Sequence, residues 1–286
     1  MDILLEFFGF GGYRRTPEGA YSWQHLTFVT GLMIIMIGLS VFLGKRYQNA
    51  TPAGKNKPIL WAAILIDSFE LLKIVLFCVR GKDPYAWLYE LPLFLCSIQL
   101  ITIPLAALSR GRLREAALDF ISIFGILGAV LGTYGAAQNY AAYPVLSFDN
   151  VISGITHSIS GFTSLYILIS GQAGMKKKNI PITFIVLLSF CVAAFLANKV
   201  LDYNYMFLEQ GDGTPYDILF NLVNGSPVLY PLSVVGLFLI SLRLFTQRYS
   251  WCGPEKRPRG RKSRLPCTMY DPGESIALPF VHNLTT

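Results

Sequence analysis

Charge is what this sequence is shortest of. Only 14% of its 286 residues are charged, against about 25% in an ordinary soluble domain. Hydrophobic residues make up 53%, and the mean hydropathy is +0.47. That balance excludes a disordered chain, a nucleic-acid-binding domain and most soluble enzymes, and leaves a polytopic membrane protein. The net charge of +7 then records topology rather than an acidic partner. Cysteine is scarce too: there are five and no CxxC. Cys78, Cys96 and Cys191 sit inside apolar runs, which argues against a disulfide framework. Three histidines (His25, His157 and His282) show no ligand spacing, so neither a metal site nor a cofactor is expected. A secretory signal is missing as well. Asp2 and Glu6 precede any basic residue, and Leu4, Leu5, Phe7 and Phe8 read as a short interfacial segment.

Long apolar runs are plentiful. A hydrocarbon core about 30 Å thick takes roughly 20 helical residues to cross. Seven runs qualify, near 26–43, 59–79, 91–108, 117–136, 151–170, 180–201 and 228–246. The expected fold is therefore all-α, a seven-transmembrane-helix bundle. It divides into an interfacial segment (1–25), a membrane domain (26–246) and a basic, unstructured tail (247–286). Lys45, Arg46, Lys55, Lys57, Arg110, Arg112, Arg114, Lys176, Lys177 and Lys178 share one side with the basic tail. The opposite side has a loop with no Lys or Arg and another with Glu209, Asp212 and Asp217. The positive-inside rule then puts the N-terminus outside and the C-terminus in the cytoplasm of a cell membrane, expected to be a bacterial plasma membrane. In the fourth run, glycines at 125, 128, 132 and 135 form one small face for close helix approach.

Ionisable and polar groups inside spans are costly and mark candidate sites. Asp67, Glu70 and Lys73 fall within an arc of roughly 120° on one helix face. They read either as an ion or headgroup site or as a structural ion pair. His157 stands in a stripe of Ser153, Thr156, Ser160 and Ser164, as a general acid or base or as a satisfied core histidine. Cys96 and Gln99 lie one turn apart, and Asn198 and Asp202 share a face at the end of the sixth run. Counted from the outer ends of their runs, Cys96 and His157 both lie roughly 10 Å deep. His25, Lys73, Asn198 and Asp202 belong to the same outer half. An outward-opening polar pocket follows as an expectation.

Several segments carry a resemblance. They are Glu90-Leu-Pro-Leu-Phe-Leu-Cys-Ser-Ile, Thr156-His-Ser, Asn198 followed by Asp202-Tyr-Asn-Tyr-Met-Phe-Leu, Gly225-Ser-Pro, Tyr230-Pro and His25. Together they resemble the YwaF-like family of bacterial integral membrane proteins over roughly residues 21–246. That family looks related to the TMEM-type ether-phospholipid acyltransferases and, more distantly, to membrane hydrolases of fatty-acid esters of hydroxy fatty acids. The resemblance implies lipid acyl chemistry with Cys96 as nucleophile and His157 as its base. Phe94 stands where the bacterial motif usually carries a histidine.

Two functions compete. In a lipid acyltransferase or hydrolase, Cys96 and His157 react, with Gln99 or Asn198 as an oxyanion donor. In a transporter or a small-molecule or lipid-binding protein, Asp67, Glu70, Lys73, His157 and Asp202 line a pathway or pocket. Membrane lipids are the expected partners, and a homo-oligomer is compatible with the sequence.

Overall fold

The structure, a computed structural model, describes residues 2–172 and 179–252. The described residues are all-helical, with ten α-helices: α1 (Asp2–Phe8), α2 (Trp23–Tyr47), α3 (Pro52–Gly81), α4 (Gln99–Leu108), α5 (Gly111–Leu131), α6 (Ala137–Ala142), α7 (Phe148–Ile169), α8 (Ile180–Leu201), α9 (Asp217–Leu222) and α10 (Leu229–Cys252). Local chemistry sets the starts of the long ones. Ser22, Thr51 and Ser147 cap α2, α3 and α7, each accepting from a backbone N–H three residues on. Pro52 and Pro181 sit in the first turns of α3 and α8, where a missing N–H costs nothing.

Helices α2, α7 and α8 are long and apolar enough to cross a membrane. Helix α3, at 30 residues, carries Asp67, Glu70 and Lys73 within its length. Two of the expected runs differ in form. The run 91–108 is helical only over Gln99–Leu108; residues 91–98 form turns. Pro92 pushes Leu91 out of the α region, and Phe94 is drawn into an aromatic cluster with Tyr203, Tyr205 and Phe207. Irregular backbone of this kind survives at membrane depth only where protein covers it. The run 117–136 becomes a helix that starts at Gly111 and stops at Leu131, with Gly132 as its cap. The expected basic tail falls mostly beyond the described residues, as do Lys176, Lys177 and Lys178.

Helices α5 and α7 pack along each other at the centre, with α2, α3 and α4 around them and α8 and α10 behind α5. One core joins Ile59, Ala62, Ile66, Ile103, Ile121 and Tyr166. A second joins Phe120, Phe124, Leu187, Tyr205, Tyr230 and Val234. Outward faces are as apolar as the cores: Ile34, Trp61, Leu71, Ile185, Val192, Leu232 and Ile240 are all exposed. A surface this rich in large apolar side chains suits hydrocarbon rather than water.

The two ends of the bundle are tied differently. At the end with the basic loops, Arg114 donates to Asn56 (3.0 Å) and Gln172 (3.1 Å), and Lys55 Nζ donates to the Ser170 carbonyl (2.7 Å). The Tyr166 hydroxyl donates to the Lys55 carbonyl at 2.8 Å. At the other end Arg80 forks onto Asp149 with two bonds of 2.7 Å and also donates to Phe8 O (3.0 Å) and Tyr13 OH (3.2 Å). This clasp fastens α1 over the start of α7, where Phe7 and Phe8 meet the Phe148 ring. Burial, together with the Asp149 carboxylate beside it, pushes the Tyr13 phenol up to about 12.

Candidate functional site

Glycine decides how closely the central helices approach. A methyl on Gly125 would stand 2.8 Å from the Ser160 carbonyl, and one on Gly128 would stand 3.3 Å from Cys96 Cβ. A methyl on Gly132 would overlap the His157 ring. The expected fourth member, Gly135, lies past the helix and faces its own Leu131 carbonyl. The glycine face of α5 therefore receives Cys96 on one turn and His157 on the next.

Between these groups is a cavity of about 60 Å³ lined by Glu70, Lys73, Cys96, Ser97, Ser153, Thr156, His157 and Ser160, with Ile66 and Leu100 as its apolar wall. One water needs only about 10–15 Å³ by this kind of measure, so the space holds a few waters or one polar group, not a whole lipid. Cys96 is a free thiol. Among the described residues it shares this cavity with His157, but no hydrogen bond joins the two side chains.

The charged wall is an ion-pair cluster. Lys73 Nζ lies 2.6 Å from Glu70 and 2.8 Å from Glu90, leaving one excess negative charge. Pairs at this range inside a protein interact far more strongly than in water. The opposite wall is built from hydroxyls. Ser160 is 1% exposed, and its hydroxyl has no partner among the described residues. A buried orphan costs about 1–3 kcal/mol, and this one stands on the cavity wall. Gln99, fully buried, accepts from Thr102 (3.1 Å) while its amide nitrogen has no partner among the described residues; it is not among the residues that line the cavity.

The remaining expected site residues lie elsewhere. His25 is fully buried and its ring is satisfied: Nδ1 accepts from the Tyr21 N–H (3.0 Å), and Nε2 lies 3.2 Å from the Thr133 carbonyl. This bonding makes it the neutral tautomer with the proton on Nε2. It stacks on Tyr140 at 3.7 Å and anchors the end of α5 one residue past Gly132. Asn198 spends both amide atoms on the backbone of Tyr205. Asp202 is exposed and takes the left-handed conformation that ends α8. Asp67 is exposed on α3, one turn from Glu70 but not among the residues that line the cavity.

Glu90 stood in the sequence only as the first residue of the segment Glu90-Leu-Pro-Leu-Phe-Leu-Cys-Ser-Ile, with no site role assigned to it. Sequence reasoning also missed Ser97 and the Arg80–Asp149 clasp. The only local sign for Glu90 was its place at the head of the Leu-Pro-Leu-Phe-Leu-Cys segment; its contact with Lys73 arises from the chain's return after α3.

An all-helical fold with membrane-length apolar helices, an apolar exterior and a polar cavity within defines an integral membrane protein. Compared with known protein families, residues 20–246 match the TMEM164 family, and the chain belongs to it. Curated proteins and solved structures give no match.

Proposed function

We propose that the cavity is an intramembrane acyl-transfer site acting on lipid esters, with Cys96 as nucleophile and His157 as base. His157 takes the thiol proton, and the Cys96 sulfur attacks the acyl carbonyl. The lipid alcohol leaves with the proton from His157, and a thioester remains. A second lipid hydroxyl, or water, then releases the acyl group and restores the thiol. Gln99, with its unpartnered amide nitrogen one turn from Cys96, is the proposed donor to the developing oxyanion. The observation that carries the reading is that Cys96 and His157 line one cavity from adjacent turns of the α5 glycine face. The YwaF-like resemblance and its acyltransferase connection point the same way.

This reading includes a seven-helix bundle with the N-terminus outside a cell membrane, a bacterial plasma membrane in the YwaF-like reading, and the basic ends of α3, α4 and α5 inside. The run 91–108 then counts as a half-helix preceded by covered turns. Membrane lipids are the partners. The deciding experiment measures acyl transfer and hydrolysis on reconstituted protein in lipid vesicles, comparing wild type with Cys96→Ser and His157→Ala. Loss in both supports the assignment, and unchanged activity in both removes it.

One observation favours a second reading, a transporter or binding protein. Glu70 and Lys73, paired with each other and with Glu90, line the same cavity and have the character of an ion or proton site. Transport or binding that survives Cys96→Ala and fails with Glu70→Gln would select it.

A further inference from the structure

We infer that Tyr205, locked by Asn198, is a positioning residue that holds Glu90 against Lys73. The inference rests on the reading that the cavity is the functional site. Helix α8 ends when Asp202 turns left-handed, with φ of 50°. The chain then folds back through residues 203–208. Asn198 reads both backbone atoms of a single residue in that return: its Oδ1 accepts from the Tyr205 N–H at 2.6 Å, and its Nδ2 donates to the Tyr205 carbonyl at 3.0 Å. Such a two-point grip leaves the Tyr205 backbone little freedom. Met206 and Phe207 follow with φ of 56° and 55°, a conformation non-glycine residues hold only when their surroundings insist.

The grip aims the Tyr205 side chain. The residue is fully buried, its ring 5.2 Å from that of Phe94 and 4.7 Å from that of Tyr203. Its hydroxyl donates to the Leu88 carbonyl and accepts from the Leu91 N–H at 3.3 Å. Those two peptide groups flank Glu90, so one phenol brackets the backbone that carries it. Glu90 reaches Lys73 at 2.8 Å, and Lys73 lines the cavity beside Cys96 and His157. Tyr205 touches nothing in the cavity itself. It acts through the carboxylate it holds against Lys73, a lining residue, and a phenylalanine would fill the same space without holding the bracket.

The test uses full-length protein in lipid vesicles and reads the reactivity of Lys73 towards reductive methylation by formaldehyde and a borohydride, quantified by peptide mass spectrometry at fixed pH. A lysine held between two carboxylates keeps its proton and reacts slowly. Losing one carboxylate removes one of the two partners that hold the ammonium and should raise its reactivity about tenfold. Tyr205→Phe and Glu90→Gln should each raise methylation of Lys73 about tenfold, and the double variant should go no further than either. Tyr203→Phe, which removes a neighbouring phenol from the same aromatic cluster, should leave it unchanged. Unchanged reactivity in Tyr205→Phe, or additive effects in the double variant, overturns the inference. If Tyr205→Phe fails to fold, Asn198→Asp keeps the acceptor for Tyr205 and loses the donor, and must raise the reactivity in its place. Acyl transfer is measured on the same samples. Wild-type protein without it refutes the catalytic reading, while the methylation pattern still decides the role of Tyr205.

Discussion

Gly132→Ala is the most discriminating single change available. Gly132 has φ of −75° and ψ of −7°, so alanine meets no backbone penalty there. Elsewhere in a helix, replacing glycine by alanine gains roughly 0.5–1 kcal/mol. Gly38 in α2 has nothing within 4 Å of its added methyl and should show that gain. At Gly128 the methyl would stand 3.3 Å from Cys96 Cβ, a contact that asks for a few tenths of an ångström, and gain and cost should nearly cancel. At Gly132 the methyl falls on the His157 ring. Forcing an extra carbon into a packed site costs roughly 1–3 kcal/mol, so the net effect is a loss of about 1–2 kcal/mol. At roughly 2–4 °C per kcal/mol for a chain of this size, the three variants should order Gly38→Ala above Gly128→Ala above Gly132→Ala in thermal midpoint, read in lipid nanodiscs. Adding His157→Ala should return most of the Gly132→Ala loss, a coupling of the kind contacting residues show. A Gly132→Ala protein as stable as Gly38→Ala, or a loss that His157→Ala does not relieve, would refute the packing argument and with it the shared cavity.

Three further outcomes are expected. Arg80→Ala takes the cation from partly buried Asp149 and the donor from the Phe8 carbonyl, leaving the Tyr13 hydroxyl on Asp149, so it should cost about 1–3 kcal/mol and speed tryptic cleavage at the exposed Arg14 and Arg15. Burial pushes the Glu18 carboxyl up, but the Val145 N–H at 2.8 Å and nearby Arg15 more than offset this and hold it below the usual carboxylate range. Its contribution is therefore present above the unfolded carboxylate pKa and lost as pH falls through the lower folded value. Wild type and Glu18→Gln should accordingly converge in thermal midpoint in acid and diverge near neutrality. In a chain without native cysteines, a cysteine replacing exposed Asp83 should react with an impermeant thiol reagent from outside intact cells, while one replacing exposed Asn49 should react only after lysis. The reverse pattern would invert the proposed orientation.

The helices were legible wherever an apolar run was uninterrupted, because length and hydropathy alone decide that a segment such as Trp23–Tyr47 is a membrane-length helix. They were not legible at Leu91–Ile98, where tertiary aromatic contacts override an apolar run that reads as helix. Within the site, the α5 glycines, Lys73, Cys96 and His157 could be picked out, since small or polar residues among apolar ones are conspicuous. Glu90 could not, because it lies outside any span and meets Lys73 only through the chain's return. Asn198 was equally conspicuous, but its amide serves the backbone of Tyr205, a contact that helical spacing does not encode. Asp67 shared an arc with Glu70 and Lys73, yet an arc of 120° is wide enough for one edge to face outward.

The ties at the basic end have a further consequence. Arg114, Asn56, Gln172, Lys55, Ser170 and Tyr166 stitch α3, α5 and the end of α7 into a floor beneath the cavity. Helices tied together at one end move there as one piece, and a cavity of about 60 Å³ above them admits one small polar group at a time. Whatever occupies the cavity has to leave before the next arrival can enter.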